Sequence, residues 1–126
     1  MKKIIYTKNA PSPIGPYNQA ILTGNMLYTS GQIAIDPLTG KLQTGNIKKE
    51  TKLVMENLKA VLLEAGMNFK NVIKSTIFIS DMNNFSEINE VYATYFEEKD
   101  APARETVEVS RLPKSVNIEI SVIASF

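Results

Sequence analysis

Residues 46–66 carry the strongest structural signal in the chain, NIKKETKLVMENLKAVLLEAG. Apolar side chains recur there at steps of three and four residues, which is the spacing of one helix face. They are Ile47, Val54, Leu58, Val61, Leu62 and Ala65. Asn46 suits the N-cap of such a helix, and Gly66 stands where a C′ glycine ends one. The stretch therefore predicts an amphipathic helix whose charged residues form a solvated face.

A second helix is predicted after a strand-like run at residues 72–80. Its apolar positions have helical spacing and are Phe85, Ile88, Tyr92, Tyr95 and Phe96. Asn84, with Glu87 three residues later, has the pattern of a capping box. We expect the aromatic residues of this helix in the core.

Alternating apolar and polar residues, bounded by turn signals, predict strands on both sides of the helices. The strands are 4–6, 19–23, 26–30, 72–80, 104–109 and 116–124. Gly24-Asn25 is a hairpin signal between the second and third strands, and residues 112–115 suggest a hairpin between the last two. The order β-β-β-α-β-α-β-β predicts one α+β domain over residues 1–126, with both helices on one face of a roughly six-stranded sheet.

The composition excludes several classes of site. The 126 residues hold 14 Lys and Arg against 13 Asp and Glu, a net charge of +1, so nucleic-acid binding is not expected. Cys and His are absent, which excludes thiol nucleophiles, disulfides and the usual zinc, haem and iron–sulfur ligands. No run approaches the ~20 apolar residues of a membrane span, and residues 1–8 lack the apolar stretch of a signal peptide. We therefore expect a cytoplasmic protein that binds no metal.

Two helices cover one face of such a sheet, and the alternation predicts polar residues on the other face. We expect Arg104, Thr106, Glu119 and Ser121 there. That face is either wetted by solvent or buried between subunits, where unpaired polar groups would be costly. Arg104 offers a planar fork for a carboxylate, and Glu119 suits water binding or proton transfer. The alternative is a surface ion pair between the two, worth ~0–1 kcal/mol.

The proline-rich segment, Gly31 and Asn89 are three further features that could contribute to a functional site. The segment around Pro11, Pro13 and Pro16 is too rich in proline for a helix and is expected as a structured loop packed on the domain. Gly31 at a strand suggests a bulge or a close approach to the backbone. Asn89, at the edge of the apolar stripe of the second helix, is by spacing alone an exposed polar residue.

Several separated motifs occur in one order and spacing. They are Ala10–Tyr17 (APSPIGPY), Thr29–Gln32 (TSGQ), Pro102–Arg104 (PAR), Val107–Val109 (VEV), Leu112–Lys114 (LPK) and Ile118–Ile120 (IEI). By these motifs the chain resembles the Rid/YjgF family of reactive intermediate deaminases, and within it the RidA subgroup, over about residues 4–124. The resemblance implies a chorismate-mutase-like fold with a mostly antiparallel sheet, assembled as a homotrimer with sites in clefts between subunits.

The resemblance also implies an activity. Family members hydrolyse reactive 2-enamine and 2-imino acids, such as 2-aminoacrylate, 2-iminopropanoate and 2-iminobutanoate, to 2-oxo acids and ammonia. They need no cofactor. Non-catalytic binding of small carboxylates in the same clefts is the main alternative, and ribonuclease and chaperone-like roles are further ones.

The resemblance assigns roles to individual residues. The binding arginine of the family matches Arg104, which would clamp the substrate carboxylate, and its acidic residue matches Glu119, which would orient water or assist proton transfer. Further family residues around the cleft match Ser30, Gly31, Tyr17 and Asn89. Thr106 stands where many RidA-type members have Cys, and strand alternation points it the same way as Arg104, so that its hydroxyl can bond a ligand. Glu105 stands where small or apolar residues are usual, and alternation places it on the opposite face from Arg104.

Overall fold

The computed structural model describes residues 1–126 and has the predicted order of elements. The strands are β1 (Lys2–Ile5), β2 (Ala20–Thr23), β3 (Met26–Thr29), β4 (Val72–Ile79), β5 (Ala103–Glu108) and β6 (Ile118–Ser125). The helices are α1 (Ile47–Glu64) and α2 (Phe85–Ala93). The predicted α+β architecture is therefore confirmed.

The six strands form one sheet in the order β1-β2-β3-β6-β4-β5. All pairs are antiparallel except β4 and β5, which run parallel. The predicted hairpin between β5 and β6 is wrong, because β6 lies between β3 and β4 while β5 pairs with the free edge of β4. Leu112 and Val116 in the connection are buried in a small apolar cluster with Ile33. These anchors pack the connection on the domain, so it does not close a tight turn.

Helix α1 begins and ends as predicted. Asn46 Oδ1 accepts a hydrogen bond from the Lys49 N–H at 3.0 Å, and Gly66 adopts a φ of +79°. The apolar face of α1 packs with α2 on one side of the sheet, and its fully buried residues include Val54, Met55, Leu58, Val61 and Leu62. Burial of this apolar area is the main stabilising contribution to the fold.

Helix α2 starts differently from the prediction. Asn84 makes no side-chain capping bond, so the expected capping box is absent. Instead Asp81 accepts a 2.9 Å hydrogen bond from the N–H two residues on, which starts a 3₁₀ turn that leads into the helix. Tyr95 and Phe96 lie beyond the end of α2, and their rings pack on Phe69 with centroids 5.1 and 5.4 Å away.

The two faces of the sheet have different surroundings. On β6 the residues that point to the helices are buried, namely Ile118, Ile120, Val122 and Ala124. Glu119, Ser121 and Ile123 point to the other side, which neither helix covers and which we call the open face. Ile73 of β4 is 49% exposed, because a bulge between Val72 and Lys74 shifts the register. Neither helix has the length and apolar character needed to cross a bilayer.

Candidate functional site

Arg104 and Glu119 lie on opposite faces of the sheet, so the prediction that both lie on the open face is wrong. Arg104 is the neighbour of Ser75 on β4, and the Ser75 hydroxyl accepts a 2.9 Å hydrogen bond from Tyr92 of α2. Arg104 is therefore on the helix side. Glu119 is the neighbour of Phe78, which is three residues from Ser75 and projects to the open face. Side chains alternate along each strand as predicted. Which alternate residues of β5 face the helices depends on the parallel pairing of β5 with β4, and the sequence does not reveal that pairing.

The Arg104 guanidinium is held by three residues of α2. Its Nη1 donates a 2.7 Å hydrogen bond to Asn89 Oδ1. Its central carbon lies 5.0 Å from the centre of the Tyr92 ring and 5.6 Å from that of Phe85, within the range of cation–π attraction. No carboxylate pairs with it, so the surface ion pair with Glu119 is not formed. Most of its five N–H donors are therefore free for an anionic ligand.

An open cleft of about 560 Å³ adjoins Arg104 on the helix side. Its walls come from α2 and from the segment that leads into β5. They include Asn89, Tyr92, Phe96, Ala101 and Pro102, and Glu98 is the one carboxylate among them. A cation beside apolar and aromatic walls suits a small organic carboxylate.

Thr106 also lies on the helix side, two residues along β5 from Arg104. Its Oγ1 is buried and has no hydrogen-bond partner in the chain. The predicted common direction of Arg104 and Thr106 is confirmed. The hydroxyl is nevertheless enclosed within a single chain and does not open on the cleft.

Glu119 packs directly on Gly31. The segment after β3 runs beside β6, where Gln32 N donates to the Ile120 carbonyl at 2.8 Å and Ile120 N donates to the Gln32 carbonyl at 3.1 Å. A Cβ on Gly31 would lie 2.5 Å from Glu119 Oε1, so the close approach predicted at this glycine is confirmed. The Glu119 side chain accepts no hydrogen bond from the protein, and burial raises the pKa of its carboxyl above 4.5. Such a group exchanges protons closer to neutral pH than an exposed glutamate does.

Tyr17 and Ser30 border the same region. The Tyr17 hydroxyl accepts a hydrogen bond from the Ile14 N–H at 3.3 Å, which folds the proline-rich loop over the ring. Ser30 donates its hydroxyl to the Asn18 carbonyl, so it serves the loop backbone. Tyr17 and Gly31 line one cavity of about 210 Å³. The proline-rich segment is thus a structured loop, as predicted.

Glu105 does not interfere with Arg104. It lies on the open face, where Oε1 is 3.0 Å from Lys74 Nζ and Oε2 accepts a 2.7 Å hydrogen bond from Thr76. These hydrogen bonds lower the pKa of the Glu105 carboxyl. The predicted opposite directions of Glu105 and Arg104 are confirmed.

The predicted site residues therefore form two groups within one chain. We call Arg104, Asn89 and Thr106, on the helix side of β5 and on α2, the arginine group. We call Glu119, Gly31 and Tyr17, with Ser30 as the chain neighbour of Gly31, the glutamate group. The structure brings together the members of each group but places the two groups on different sides of the sheet. No group of three or more Asp or Glu side chains is arranged to hold a metal ion.

Sequence reasoning missed three residues of this region. Tyr92 and Phe85 were predicted as core but also stack on Arg104. Their spacing of three and four residues from Asn89 places all three on one helix face, so the signal was present. Gln19 was predicted only as a strand residue, yet its buried amide holds the proline-rich loop. Nothing in its sequence context indicates that role.

Comparison with known proteins assigns the chain to a family. The family model described as Endoribonuclease L-PSP matches residues 7–126. The chain belongs to this family, the Rid (YjgF/RutC) family. A RutC family protein of Pyrococcus horikoshii is 57% identical over 124 residues, which is 98% of each chain. This Rid protein is also similar to TdcF of Escherichia coli, with 47% identity over 126 residues that cover 98% of this chain and 97% of TdcF. The name of TdcF provisionally describes it as a reactive intermediate deaminase.

Solved structures of Rid proteins have the same fold. A Rid protein of Yersinia pestis superposes with a TM-score of 0.97 at 52% identity, covering 100% of both chains. The crystal structure of E. coli TdcF with bound serine superposes with a TM-score of 0.93 at 45% identity, covering 98% of both chains. The names of these relatives support a Rid-type deaminase role in general terms.

Proposed function

We propose that this Rid protein hydrolyses reactive 2-enamine and 2-imino acids, among them 2-aminoacrylate, 2-iminopropanoate and 2-iminobutanoate, to 2-oxo acids and ammonia. It does so in the cytoplasm and without a cofactor. The observation that carries the proposal is the Arg104 guanidinium, which Asn89, Tyr92 and Phe85 hold beside a cleft with no carboxylate partner. An oriented, unpaired arginine suits the carboxylate that all these substrates share.

The complete site forms between subunits of a homotrimer. The arginine and glutamate groups of one chain lie on different sides of its sheet, so a substrate that touches both must lie between two chains. β5 is an edge strand, which leaves Arg104 exposed at the border of the molecule. The open face also carries exposed apolar side chains, including Ile4, Tyr28 and Val107, that a neighbouring subunit would bury.

The reaction needs orientation and proton transfer more than a strong nucleophile. Arg104 of one subunit binds the carboxylate and holds the imine carbon beside Glu119 of the next subunit. The Glu119 carboxylate accepts a proton from water as the water oxygen bonds to the carbon of the protonated imine. The same proton then passes to the nitrogen. The Glu119 carboxylate takes the proton of the new hydroxyl group as the C–N bond breaks and the carbonyl forms, and it passes this proton to the departing ammonia. Placing the reactants in this way reduces the entropic part of the barrier.

A second candidate is non-catalytic binding of small carboxylates by the same trimer. It is favoured by the serine bound in the E. coli TdcF structure, since serine carries a carboxylate and is not an imine. Endoribonuclease activity, which the description of the family model names, has less physical support. The net charge of +1 and the absence of His provide neither a general phosphate-binding surface nor the usual acid–base residue.

A coupled imine assay tests the proposal. Threonine dehydratase or an amino-acid oxidase generates the imine beside semicarbazide, which traps it, and the 2-oxo acid is followed against the trapped adduct. We expect the wild type to divert flux to the 2-oxo acid and Arg104→Ala to lose at least about 30-fold in kcat/KM, since removing one partner of a charged pair costs about 2–5 kcal/mol. Arg111→Ala, which removes an exposed arginine outside both groups, is the matched control.

Two results would decide against the proposal. A folded wild-type trimer that diverts no flux, yet binds 2-oxobutanoate by calorimetry, would establish the binding protein instead. Equal loss of activity in Arg104→Ala and Arg111→Ala would show that Arg104 has no special role in the reaction.

A further inference from the structure

A small apolar cavity lies beside the glutamate group. Its volume is about 210 Å³, and Gly31 forms part of its wall. Most of its remaining walls are apolar or aromatic, from Pro11, Ile14, Tyr17, Ile33, Ile35 and Pro113, and the polar residues Ser12, Gln19 and Gln32 complete them. The Glu119 carboxyl rests against the same Gly31. The cavity is therefore adjacent to the group that would act on the imine.

We propose that this cavity receives the side chain of the substrate, and that the protein therefore prefers imino acids with branched or aromatic side chains to the three- and four-carbon ones. This inference rests on the proposed function, because it places the reacting carbon at Glu119. A methyl group would leave most of 210 Å³ empty, whereas an isobutyl or benzyl group would fill more of it. Each additional methylene transferred from water to an apolar site is worth about fourfold in affinity.

The cavity is held open by its walls. The Gln19 side chain is buried and bonds only to the loop above it: Oε1 accepts from the Thr7 N–H, and Nε2 donates to the carbonyls of Thr7, Ala10 and Pro11. These bonds fix the loop that carries Ile14 and Tyr17. They also occupy the polar atoms of Gln19, so this wall offers little hydrogen bonding to a polar side chain.

The part of the wall formed by Pro113 is fixed by an unusual turn. Lys114 and Ser115 both adopt a φ of +56°, the left-handed region that residues other than glycine seldom occupy. This turn follows Pro113 and lies between Leu112 and Val116, which are buried against Ile33. Strained backbone of this kind persists where surrounding packing enforces it and is common around ligand sites. Here it holds Pro113 at the cavity.

The experiment compares imines that differ only in their side chain. An amino-acid oxidase generates them from alanine, 2-aminobutanoate, leucine and phenylalanine, and kcat/KM is measured by competition with semicarbazide. We expect the leucine-derived imine to exceed the alanine-derived imine by at least tenfold. Dissociation constants of the 2-oxo acids 4-methyl-2-oxopentanoate and pyruvate, measured by calorimetry, should differ in the same direction and do not depend on turnover.

Variants locate the effect in the cavity. Ile35→Phe, which narrows it, should reduce the leucine-to-alanine ratio at least fivefold, while a general loss of folding would lower both rates and leave the ratio unchanged. Ile14→Trp narrows the mouth at a side chain that is 64% exposed and is the second variant if Ile35→Phe does not fold. Leu38→Trp, at a position 91% exposed and outside the cavity, is the control and should keep the wild-type ratio.

The outcomes separate the two proposals. Turnover of all imines with a flat or reversed side-chain preference would overturn the cavity assignment and leave the deaminase intact. Absence of turnover with every imine would reject the proposed deaminase activity. In that case, tighter binding of 4-methyl-2-oxopentanoate that Ile35→Phe abolishes would support the cavity, and equal binding of the two 2-oxo acids would reject it.

Discussion

Gly31 and Glu119 are in direct contact, and the absence of a side chain on Gly31 is what allows it. A Cβ at this position would meet Oε1, Cδ and Cγ of Glu119 at 2.5, 2.6 and 2.8 Å. The backbone of Gly31 does not have a positive φ, so the need for glycine here is one of space and not of conformation. The end of the glutamate side chain is flexible and can move away, so the conflict displaces the carboxyl without breaking the fold.

Gly31→Ala is therefore expected to reduce activity much more than stability. Moving the carboxyl away from the reacting carbon should lower kcat by at least about tenfold, in line with the contribution of a positioned acid–base group. The melting temperature should fall only slightly. Gly45→Ala is the matched control, since a Cβ there meets nothing within 4 Å and its φ is not positive. Unchanged kcat in Gly31→Ala would show that the position of Glu119 is not critical.

The raised pKa of Glu119 predicts a pH-dependent change in stability. Burial raises the pKa of this carboxyl in the folded chain above its ordinary value of 4.5. The folded chain therefore binds the Glu119 proton more tightly than the unfolded chain does. The resulting stabilisation of the fold is complete below the pKa of Glu119 in the unfolded chain, and it is lost as the pH rises through the pKa of Glu119 in the folded chain. Glu119→Gln stays neutral and escapes that loss. It should unfold at the same temperature as the wild type at about pH 3, where the Glu119 side chain is neutral in the folded and the unfolded chain, and at a higher temperature at pH 8.

Thermal unfolding at several pH values checks this expectation, with Glu98→Gln as a control at an exposed carboxyl for which no such difference is expected. The same Glu119→Gln variant should be inactive in the imine assay. A variant that is less stable than the wild type at pH 8 would mean that Glu119 gains interactions in the assembled protein that a single chain does not show.

For Arg104 the sequence predicts the direction of its side chain relative to its neighbours in the strand, but not the side of the sheet that it faces. Its alternation with Glu105 follows from local geometry, and the structure confirms it. Whether Arg104 faces the helices or the open side depends on which residue of β4 it pairs with, and that register is set by contacts distant in sequence. The same reason explains why β6 was predicted beside β5 and instead lies between β3 and β4.

The candidate residues divide in a similar way. Family motifs identify Arg104 and Glu119, and helix spacing is sufficient to find Tyr92 and Phe85 beside Asn89. The role of Gln19 depends on bonds to residues up to twelve positions away, and no local pattern indicates it. Propensity and spacing predict only interactions between residues that are close in sequence. The hydrogen bonds of Gln19 to the proline-rich loop and the cavity beside Gly31 arise from tertiary packing instead.

Thr106→Val is expected to stabilise the protein. The Thr106 hydroxyl is buried without a hydrogen-bond partner, and burying an unsatisfied hydroxyl costs about 1–3 kcal/mol. Valine has nearly the same shape and removes only the polar group. Calorimetric unfolding should therefore show a higher melting temperature. A lower one, together with a raised KM, would indicate that the hydroxyl acquires a partner from a ligand or a neighbouring subunit.

Tyr92 combines two roles that mutation can separate. Its ring lies 5.0 Å from the Arg104 guanidinium carbon, and its hydroxyl donates a 2.9 Å hydrogen bond to Ser75 Oγ in the interior. Tyr92→Phe keeps the ring but leaves the buried Ser75 hydroxyl unpaired, which should destabilise the chain by about 1–3 kcal/mol and leave KM unchanged. Tyr92→Leu removes the ring as well and should also raise KM, because Arg104 loses a cation–π contact worth about 1 kcal/mol.

A double-mutant cycle distinguishes these contributions. In Tyr92→Phe/Ser75→Ala both hydroxyls are gone and no unpaired group remains, so the double variant should be less destabilised than the sum of the two single variants. The coupling is measured by urea unfolding of the four proteins of the cycle, and KM for the imine is measured on these four and on Tyr92→Leu. If Tyr92→Phe alone raised KM as much as Tyr92→Leu does, the hydroxyl would be the group that orients Arg104, and the stacking of the ring would have no part in binding the carboxylate.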